Sequence, residues 1–278
     1  MKLIVKNNAK LLEYLYDNLD MSKKKIKSYL THGAIYINNN KVTRYDYELL
    51  PGMKIDIDTK NRTSLLFDIL YEDDYIIAVN KPSDLLTIAT KKEKEKTLYH
   101  YVSEYLKRKN KSNRVFIIHR LDKETSGVLV FAKDEKTKNL FQKNWNELVK
   151  LREYTAVVHG KMPKKSDRLV NRLLETKTNL VYVTKKEEGR EAITNYQVLK
   201  ENKNYSLLKI NIETGRKNQI RVQLAHICNP IVGDNKYGTE KSKKRLYLHA
   251  NKLKFFYPIL KKEITLNAKI PDEFQKIV

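Results

Sequence analysis

Apolar residues recur along this chain in two rhythms, one helical and one alternating. Leu11, Leu12, Leu15, Tyr16 and Leu19 fall at helical spacing and predict a first helix. A second, shorter helix is predicted to start near Ser22, whose hydroxyl can cap free backbone amides, with Ile26, Tyr29 and Leu30 as its apolar face. Gly33 is placed to end it in a left-handed conformation. Ile35 and Ile37 then alternate as a strand, Asn38, Asn39 and Asn40 form a turn, and Val42 starts the return. Pro51-Gly52 marks another turn, followed by strict alternation of Met53, Ile55 and Ile57.

The polar stretch from Asp58 to Ser64 reads as a linker, and the pattern changes after it. Tyr75 to Val79 reads as a short buried strand that stops at Lys81-Pro82, and Lys91 to Lys96 as a solvated charged loop. Leu98, Tyr101, Val102, Tyr105 and Leu106 predict an amphipathic helix; Leu140, Phe141 and Trp145 mark one more. Val115 to Ile118 and Gly127 to Phe131 are apolar runs flanking a polar turn, and both read as buried strands. Tyr154 to Val158, Tyr205 to Ile212 and Leu246 to Leu248 read as strands. Helices and strands mix too irregularly for repeated βαβ units, which points to an α+β class.

Charge changes the picture more than size does. The 278 residues, 41% of them hydrophobic, suffice for one large domain or a medium domain with a small one. Against 33 acidic residues stand 56 lysines and arginines, a formal net charge of +23. Such an excess favours a polyanion through counterion release, although a lysine-rich solvated surface has the same composition. Cys228 is the one cysteine, so no disulfide forms within the chain and a reducing cytoplasm is the expected home. The start MKLIVKNNAKLLEY lacks the apolar run of a signal peptide, and no stretch approaches ~18 consecutive apolar residues, so no membrane span is expected.

Candidate chemistry begins with absences. There is no phosphate loop, no strand-linked GxGxxG, no GxSxG elbow, and the six histidines are scattered away from metal-ligand spacing. An enzyme of this sequence is expected to work with side chains alone, with no metal and no cofactor. The densest polar segment between apolar runs is VFIIHRLDKETSGVLVFAK, Val115 to Lys133, which carries His119, Arg120, Asp122, Thr125, Ser126 and Gly127. Charged groups held against apolar strands are paired or functional, though a plain hairpin turn with an exposed aspartate fits the composition equally well. A second dense segment, Thr214 to Gly238, clusters Arg216, Lys217 and Arg221 with Asn218 and Gln219. It can grip phosphate or supply a partner for a carboxylate elsewhere.

These segments resemble the RluA-type family of RNA pseudouridine synthases. HRLDKETSG, His119 to Gly127, is similar to the family signature HRLDxxTSG without a gap, and TGRKNQIRVQ with the later PIVGDNKYG is similar to its late motif. REYTAVVHG, Arg152 to Gly160, resembles the middle motif; Glu72-Asp73 and Asn80 to Pro82 resemble its opening, and Leu248 to Ala250 with Ile270 to Phe274 its close. The likeness runs in order from Leu66 to Val278. Residues 10 to 57 resemble the small RNA-binding domain shared with a small-subunit ribosomal protein and tyrosyl-tRNA synthetase, through the Ser22 helix, Gly33, the asparagine turn and LLPGMKIDI. The expected organisation is therefore a small α/β RNA-binding domain over 1–60, a linker at 61–66, and an α+β catalytic domain with a mixed, largely antiparallel sheet over 67–278.

The resemblance assigns roles residue by residue. Asp122 is the essential carboxylate and Arg221 its cation, chosen over Arg216; Tyr154 stacks on the flipped base and helps remove its C5 proton. Arg120 enters the space the base leaves, or grips the backbone. Arg216, Lys217 and, on the small domain, Lys23, Lys24, Lys25 and Lys27 meet RNA. His119, Thr125, Ser126 and Gly127 shape the loop. The chain departs from the family pattern at Asn218, Gln223 and Asn229, where histidines are frequent, at Cys228, where glycine is, and in SDLLTIAT after Pro82. These departures bear on substrate choice. Large-subunit ribosomal RNA is the expected substrate, transfer RNA the alternative, and a monomer the expected state. A non-catalytic RNA-binding or assembly factor, and an RNA N-glycosidase that releases the base, are readings of other classes. Conservation of RNA mass separates isomerisation from base release.

Overall fold

In the computed structural model, residues 2–31, 33–38, 40–57, 65–90, 93–239, 241 and 245–278 are described. The linker stretch from Asp58 to Ser64 lies outside them, as do Asn39 of the turn and the first two residues of the 91–96 charge run. The chain divides into two compact units, Met1–Leu66 and Phe67–Val278.

In the first unit β1 (Lys2–Ile4), β2 (Ala9–Lys10), α1 (Leu11–Asn18), α2 (Lys23–Thr31), β3 (Ile35–Ile37), β4 (Asn40–Lys41), β5 (Glu48–Leu49) and β6 (Lys54–Ile57) follow in order. Four strands form one sheet, β1-β6-β3-β4, and β2 pairs with β5. The apolar faces read from the sequence meet in one core of Leu11, Leu15, Ile26, Leu30, Ile35, Ile37, Ile55 and Ile57. Gly33 closes α2 at φ +63. Lys23, Lys24, Lys25 and Lys27 are all exposed on α2. Three of them occupy its first turn, against the helix dipole, and Lys23 lies 5.3 Å from the centre of the Tyr16 ring.

The second unit contains β7 (Asp68–Glu72), β8 (Ile76–Lys81), α3 (Leu98–Lys109), β9 (Phe116–Ile117), β10 (Ser126–Ala132), α4 (Glu135–Lys143), α5 (Trp145–Leu148) and β11 (Val149–His159). It continues with β12 (Ser166–Glu175), β13 (Val181–Thr184), β14 (Arg190–Glu201), β15 (Tyr205–Ile212), α6 (Gln219–His226), β16 (Leu248–Tyr257), β17 (Lys262–Asn267) and α7 (Glu273–Lys276). Eleven strands make one sheet with the path β13-β12-β14-β15-β11-β16-β10-β8-β7, β17 adding to β16 and β9 to β10. The β10–β16 pair is parallel; the others are antiparallel. One core lies around β11, β15, α6 and the C-terminal residues Phe274 and Val278; another gathers Phe141, Phe255, Tyr257 and Leu266. No helix among the described residues is long and apolar enough to cross a membrane.

Three sequence expectations need correction. The run Val115 to Ile118 holds a strand of only two residues, β9, half-buried, because the chain then turns to carry the polar loop. The helix expected through Leu140, Phe141 and Trp145 is two helices, since Asn144 leaves helical geometry at φ −112, ψ 21. Leu246 and Tyr247 precede β16, which begins at Leu248.

Candidate active site

Asp122 sits in the segment between β9 and β10, and neighbouring chain holds that segment by its carbonyls. The Thr87 hydroxyl donates to the Leu121 carbonyl at 2.8 Å and accepts from the Leu121 amide at 3.3 Å. The Lys81 ammonium donates to the Lys123 carbonyl at 2.8 Å and to those of Leu85 and Pro82, and Ser83 donates to the Glu124 carbonyl at 2.6 Å. Lys81 is fully buried. Burial pulls its pKa down to about 7 against the charges of Glu124, Asp84 and Asp122, while three carbonyl acceptors match the three N–H groups of an ammonium. The loop is thus fixed on both sides of Asp122. Of the residues that fix it, Lys81 belongs to the Asn80–Pro82 motif, while Ser83 and Thr87 lie in the stretch after Pro82 where the chain departs from the family pattern, and only their proximity in the fold marks them.

Behind the loop, Gly127, the second residue of β10, has φ +117 where β10 meets β16. A Cβ there would lie 2.2 Å from the Ala250 carbonyl oxygen, so no other residue fits. Ser126 and His249 share a 2.7 Å hydrogen bond, and Arg245 donates to the same hydroxyl. His119 accepts the Val130 amide through Nε2 at 3.1 Å, with its ring against Trp145. Burial, with help from the Arg152 charge, pushes its pKa down to about 3, so the imidazole is neutral and its lone pair is already engaged.

The late motif folds as α6, with Asn218 as its N-terminal cap residue in the left-handed region, φ +52. From there Asn218 Nδ2 donates to Asp122 Oδ2 at 2.6 Å, while its Oδ1 accepts from Lys236 and the Tyr237 hydroxyl. Gln219 and Gln223 are buried and lash α6 to Ile193, Thr194 and Ala192 on β14. Arg221, 3% exposed, grips Asp234 with Nε and Nη2 at 2.8 and 2.7 Å. Its remaining nitrogen, Nη1, lies 3.1 Å from Glu124 and 3.7 Å from Asp122. Burial works against the charge on Arg221, but the three carboxylates outweigh it and raise its pKa above the ordinary value. Asp234 is lowered: burial opposes its ionisation, and Arg221 with the backbone amides of Lys236 and Tyr237 overrides burial.

Tyr154 and Arg152 lie two residues apart on β11 and both line the cleft, while Glu153 and Thr155 between and beside them bond to Asn251. Burial, with the Asp122 charge and against that of Arg152, pushes the Tyr154 phenol up to about 12, so it is neutral at pH 7. The cleft, of about 640 Å³, is lined by Asp122, Tyr154, His119, Arg120, Trp145, Arg152, Thr125, Arg216, Lys217 and Asn218, among others. Arg216 and Lys217 are exposed at its edge; Arg216 Nε donates to the Glu191 carbonyl, and Lys217 pairs with Glu175. Arg221 reaches Asp122 from behind the cleft wall. Ser126 and Gly127 stand in the strand beneath. No group of three or more metal-ligating side chains occurs among the described residues. Asn218, from the cluster offered as a phosphate grip or a carboxylate's partner, contacts Asp122, while Asp234 and Glu124 complete the surroundings without having been singled out for it in the sequence.

A clamped carboxylate with a buried arginine behind it, facing a neutral tyrosine in a basic cleft, is a site for nucleophilic or proton-transfer chemistry on a base carried by a polyanion. The chain belongs to the RNA pseudouridylate synthase family, whose pattern it matches over residues 75–226. It is an RNA pseudouridine synthase, an isomerase. It is similar to ribosomal large subunit pseudouridine synthase D of Vibrio cholerae, 30% identical with 91% of this chain and 85% of that one covered. An uncharacterised RNA pseudouridine synthase of Mycoplasma pneumoniae is 28% identical, covering 94% of this chain and 89% of that one. The fold is similar to that of human RNA pseudouridylate synthase domain containing 4, with a TM-score of 0.63 at 24% identity over 75% of this chain and 90% of the other.

Proposed function

We propose that this enzyme isomerises uridines of large-subunit ribosomal RNA, with Asp122, Tyr154 and Arg221 as its working residues. The observation that carries the site is the 2.6 Å contact of Asn218 with Asp122 on a loop fixed by Lys81, Ser83 and Thr87. The ribosomal target rests on the synthase D relatives. In the reaction the N1–C1′ bond breaks, the base turns, and C5 bonds to C1′; C5 loses a proton and N1 gains one. Two routes use the same carboxylate: attack on C1′ as N1 leaves, or removal of the C2′ proton to give a glycal. Arg221 balances the charge of Asp122 in either case. Tyr154 offers its ring face to the uracil, and its neutral hydroxyl takes the C5 proton only in step with releasing its own. Arg120, Arg216 and Lys217 grip the strand at the cleft, and Lys23, Lys24, Lys25 and Lys27 give the small domain a second attachment that raises effective concentration. A cytoplasmic monomer fits a chain with one cysteine and a self-repelling charge of +23.

The test is carbodiimide-stop mapping of pseudouridine in total RNA from cells with and without the gene. One or a few large-subunit sites are expected to vanish, and to return with wild type but not with Asp122→Asn. Sites lost from transfer RNA instead would replace the target; restoration by Asp122→Asn would overturn the site.

A further inference from the structure

The cleft is lined well beyond the pair that handles the target uridine. Trp145, the chain's single tryptophan, opens α5 at the break after Asn144 and lines the cleft. Its ring is half-buried against the core around Phe141 and Phe255, and His119 packs on it at 4.9 Å between centroids with a tilt of 36°. His119 is neutral there, so the two rings form an aromatic surface without charge. Arg152, two residues before Tyr154 on β11, lines the same cleft as Trp145, His119 and Tyr154, and its charge acts on both His119 and Tyr154. Arg152 donates to the Glu213 carbonyl and packs over Gly215, where a Cβ would sit 2.8 Å from its Nη1. No carboxylate pairs with Arg152 among the described residues, unlike Arg221, Arg168 and Arg245. An aromatic face beside an unpaired guanidinium is the recognition chemistry of one nucleotide of single-stranded RNA: stacking for the base, charge for the phosphate.

We propose that Trp145, backed by His119, is a second base-stacking subsite that takes the nucleotide next to the target uridine, with Arg152 on the phosphate joining the two. The proposal rests on Asp122 and Tyr154 marking the target's pocket. It makes Trp145 a determinant of which sequence context is modified, because the strand must present two unstacked bases to the cleft.

The single tryptophan supplies a direct readout. Full-length Asp122→Asn protein is titrated with hexauridylate and with a six-unit abasic ribose-phosphate strand of equal charge. Hexauridylate is expected to quench Trp145 fluorescence at least twofold more than the abasic strand at saturation. Equal or absent quenching would overturn the stacking role. In parallel, tritium release from [5-³H]uridine in an unmodified large-subunit ribosomal RNA transcript is measured for Trp145→Phe and Trp145→Leu. Leucine keeps apolar packing and loses the ring face, so KM is expected to rise about tenfold with leucine and less than threefold with phenylalanine. Equal KM values for the two variants refute the subsite while turnover by wild type leaves the enzyme's assignment intact. Absence of turnover by wild type on that transcript would count against the ribosomal target instead.

Discussion

Replacing Asp234 by asparagine tests whether the buried pair behind the cleft holds the catalytic unit together. Asp234 is buried and its carboxylate takes four donors: Arg221 Nε and Nη2, and the amides of Lys236 and Tyr237 at 2.9 and 3.0 Å. Asparagine keeps one acceptor and turns an N–H toward one arginine nitrogen, so one bond becomes a donor–donor contact. Breaking a buried ion pair costs about 3–5 kcal/mol. Glu124 and Asp122 still face Arg221, so the lower end, about 3 kcal/mol, is expected. Trp145 lies in the unit Phe67–Val278, so its fluorescence follows urea unfolding of that unit alone. With an m value of about 2–3 kcal/mol per M, the midpoint falls by about 1 M or more. The pH dependence has a fixed sign. The folded pKa of Asp234 is depressed, so its stabilisation is complete above the unfolded carboxylate value of about 3.9 and is lost as pH falls through the folded value. The gap between wild type and variant therefore narrows below about pH 4. Equal midpoints at pH 7, or a gap that widens in acid, would refute the reasoning.

Asn218→Ala removes a charge-assisted hydrogen bond to Asp122, and kcat/KM in the tritium-release assay is expected to fall about 10- to 100-fold, from about 1.5–3 kcal/mol; a loss below twofold would remove Asn218 from the site. Gly127→Ala drives a methyl into the Ala250 backbone, so the melting temperature of the catalytic unit should drop by at least several degrees, and an unchanged melt would contradict the close approach. Changing Lys23, Lys24, Lys25 and Lys27 together to alanine should weaken RNA binding and flatten its salt dependence by about one unit of log–log slope per lysine that meets a phosphate; an unaltered slope would take α2 off the RNA.

Elements whose apolar residues face one side, or run unbroken as in β8 and β10, were legible, and those that bury polar residues or mix apolar with charged ones were not. The small unit shows this best: its helix faces and alternating isoleucines supply nearly all of its core. In contrast, α6 buries Gln219, Arg221 and Gln223 along with Ile220 and Leu224, so no apolar stripe distinguishes it and only its motif stood out. The pair β12 and β14 was missed because apolar residues such as Val170 and Leu199 are exposed among charged ones, so neither strand shows a clean alternation of apolar and polar positions. Asp122, Tyr154 and Arg221 came from resemblance; composition alone left Asp122 even with a surface turn. Asp234 stood in the sequence only inside the motif PIVGDNKYG, since nothing there signals that a carboxylate 13 positions on closes on Arg221. Lys81 looked like a strand terminator, and its reach to the Lys123 carbonyl spans 42 positions. Contacts of this kind follow from the β8–β10 pairing, which no local pattern encodes.

If Asp122 has the role proposed for it, the way Arg221 is shared lets it be held and still react. A bidentate arginine would occupy both carboxylate oxygens. Here that grip goes to Asp234, deep in the wall, and the one nitrogen left over stands nearer to Glu124 than to Asp122. Asp122 receives the arginine's field at 3.7 Å and a single short bond from Asn218, both on Oδ2. Among the described residues no hydrogen bond reaches Oδ1. One oxygen thus fixes the carboxylate's orientation, and the other has its lone pairs unspent among the described residues of a side chain that lines the cleft, as the proposed attack on C1′ or removal of the C2′ proton requires. Asn218 also connects this arrangement to the wall, since its Oδ1 accepts from Lys236 and Tyr237, whose backbone amides donate to Asp234. The anchor of the arginine and the orienter of the carboxylate are therefore one hydrogen-bonded unit, so Asp234→Asn is expected to lower kcat/KM through the proposed Asp122 as well as destabilise the fold.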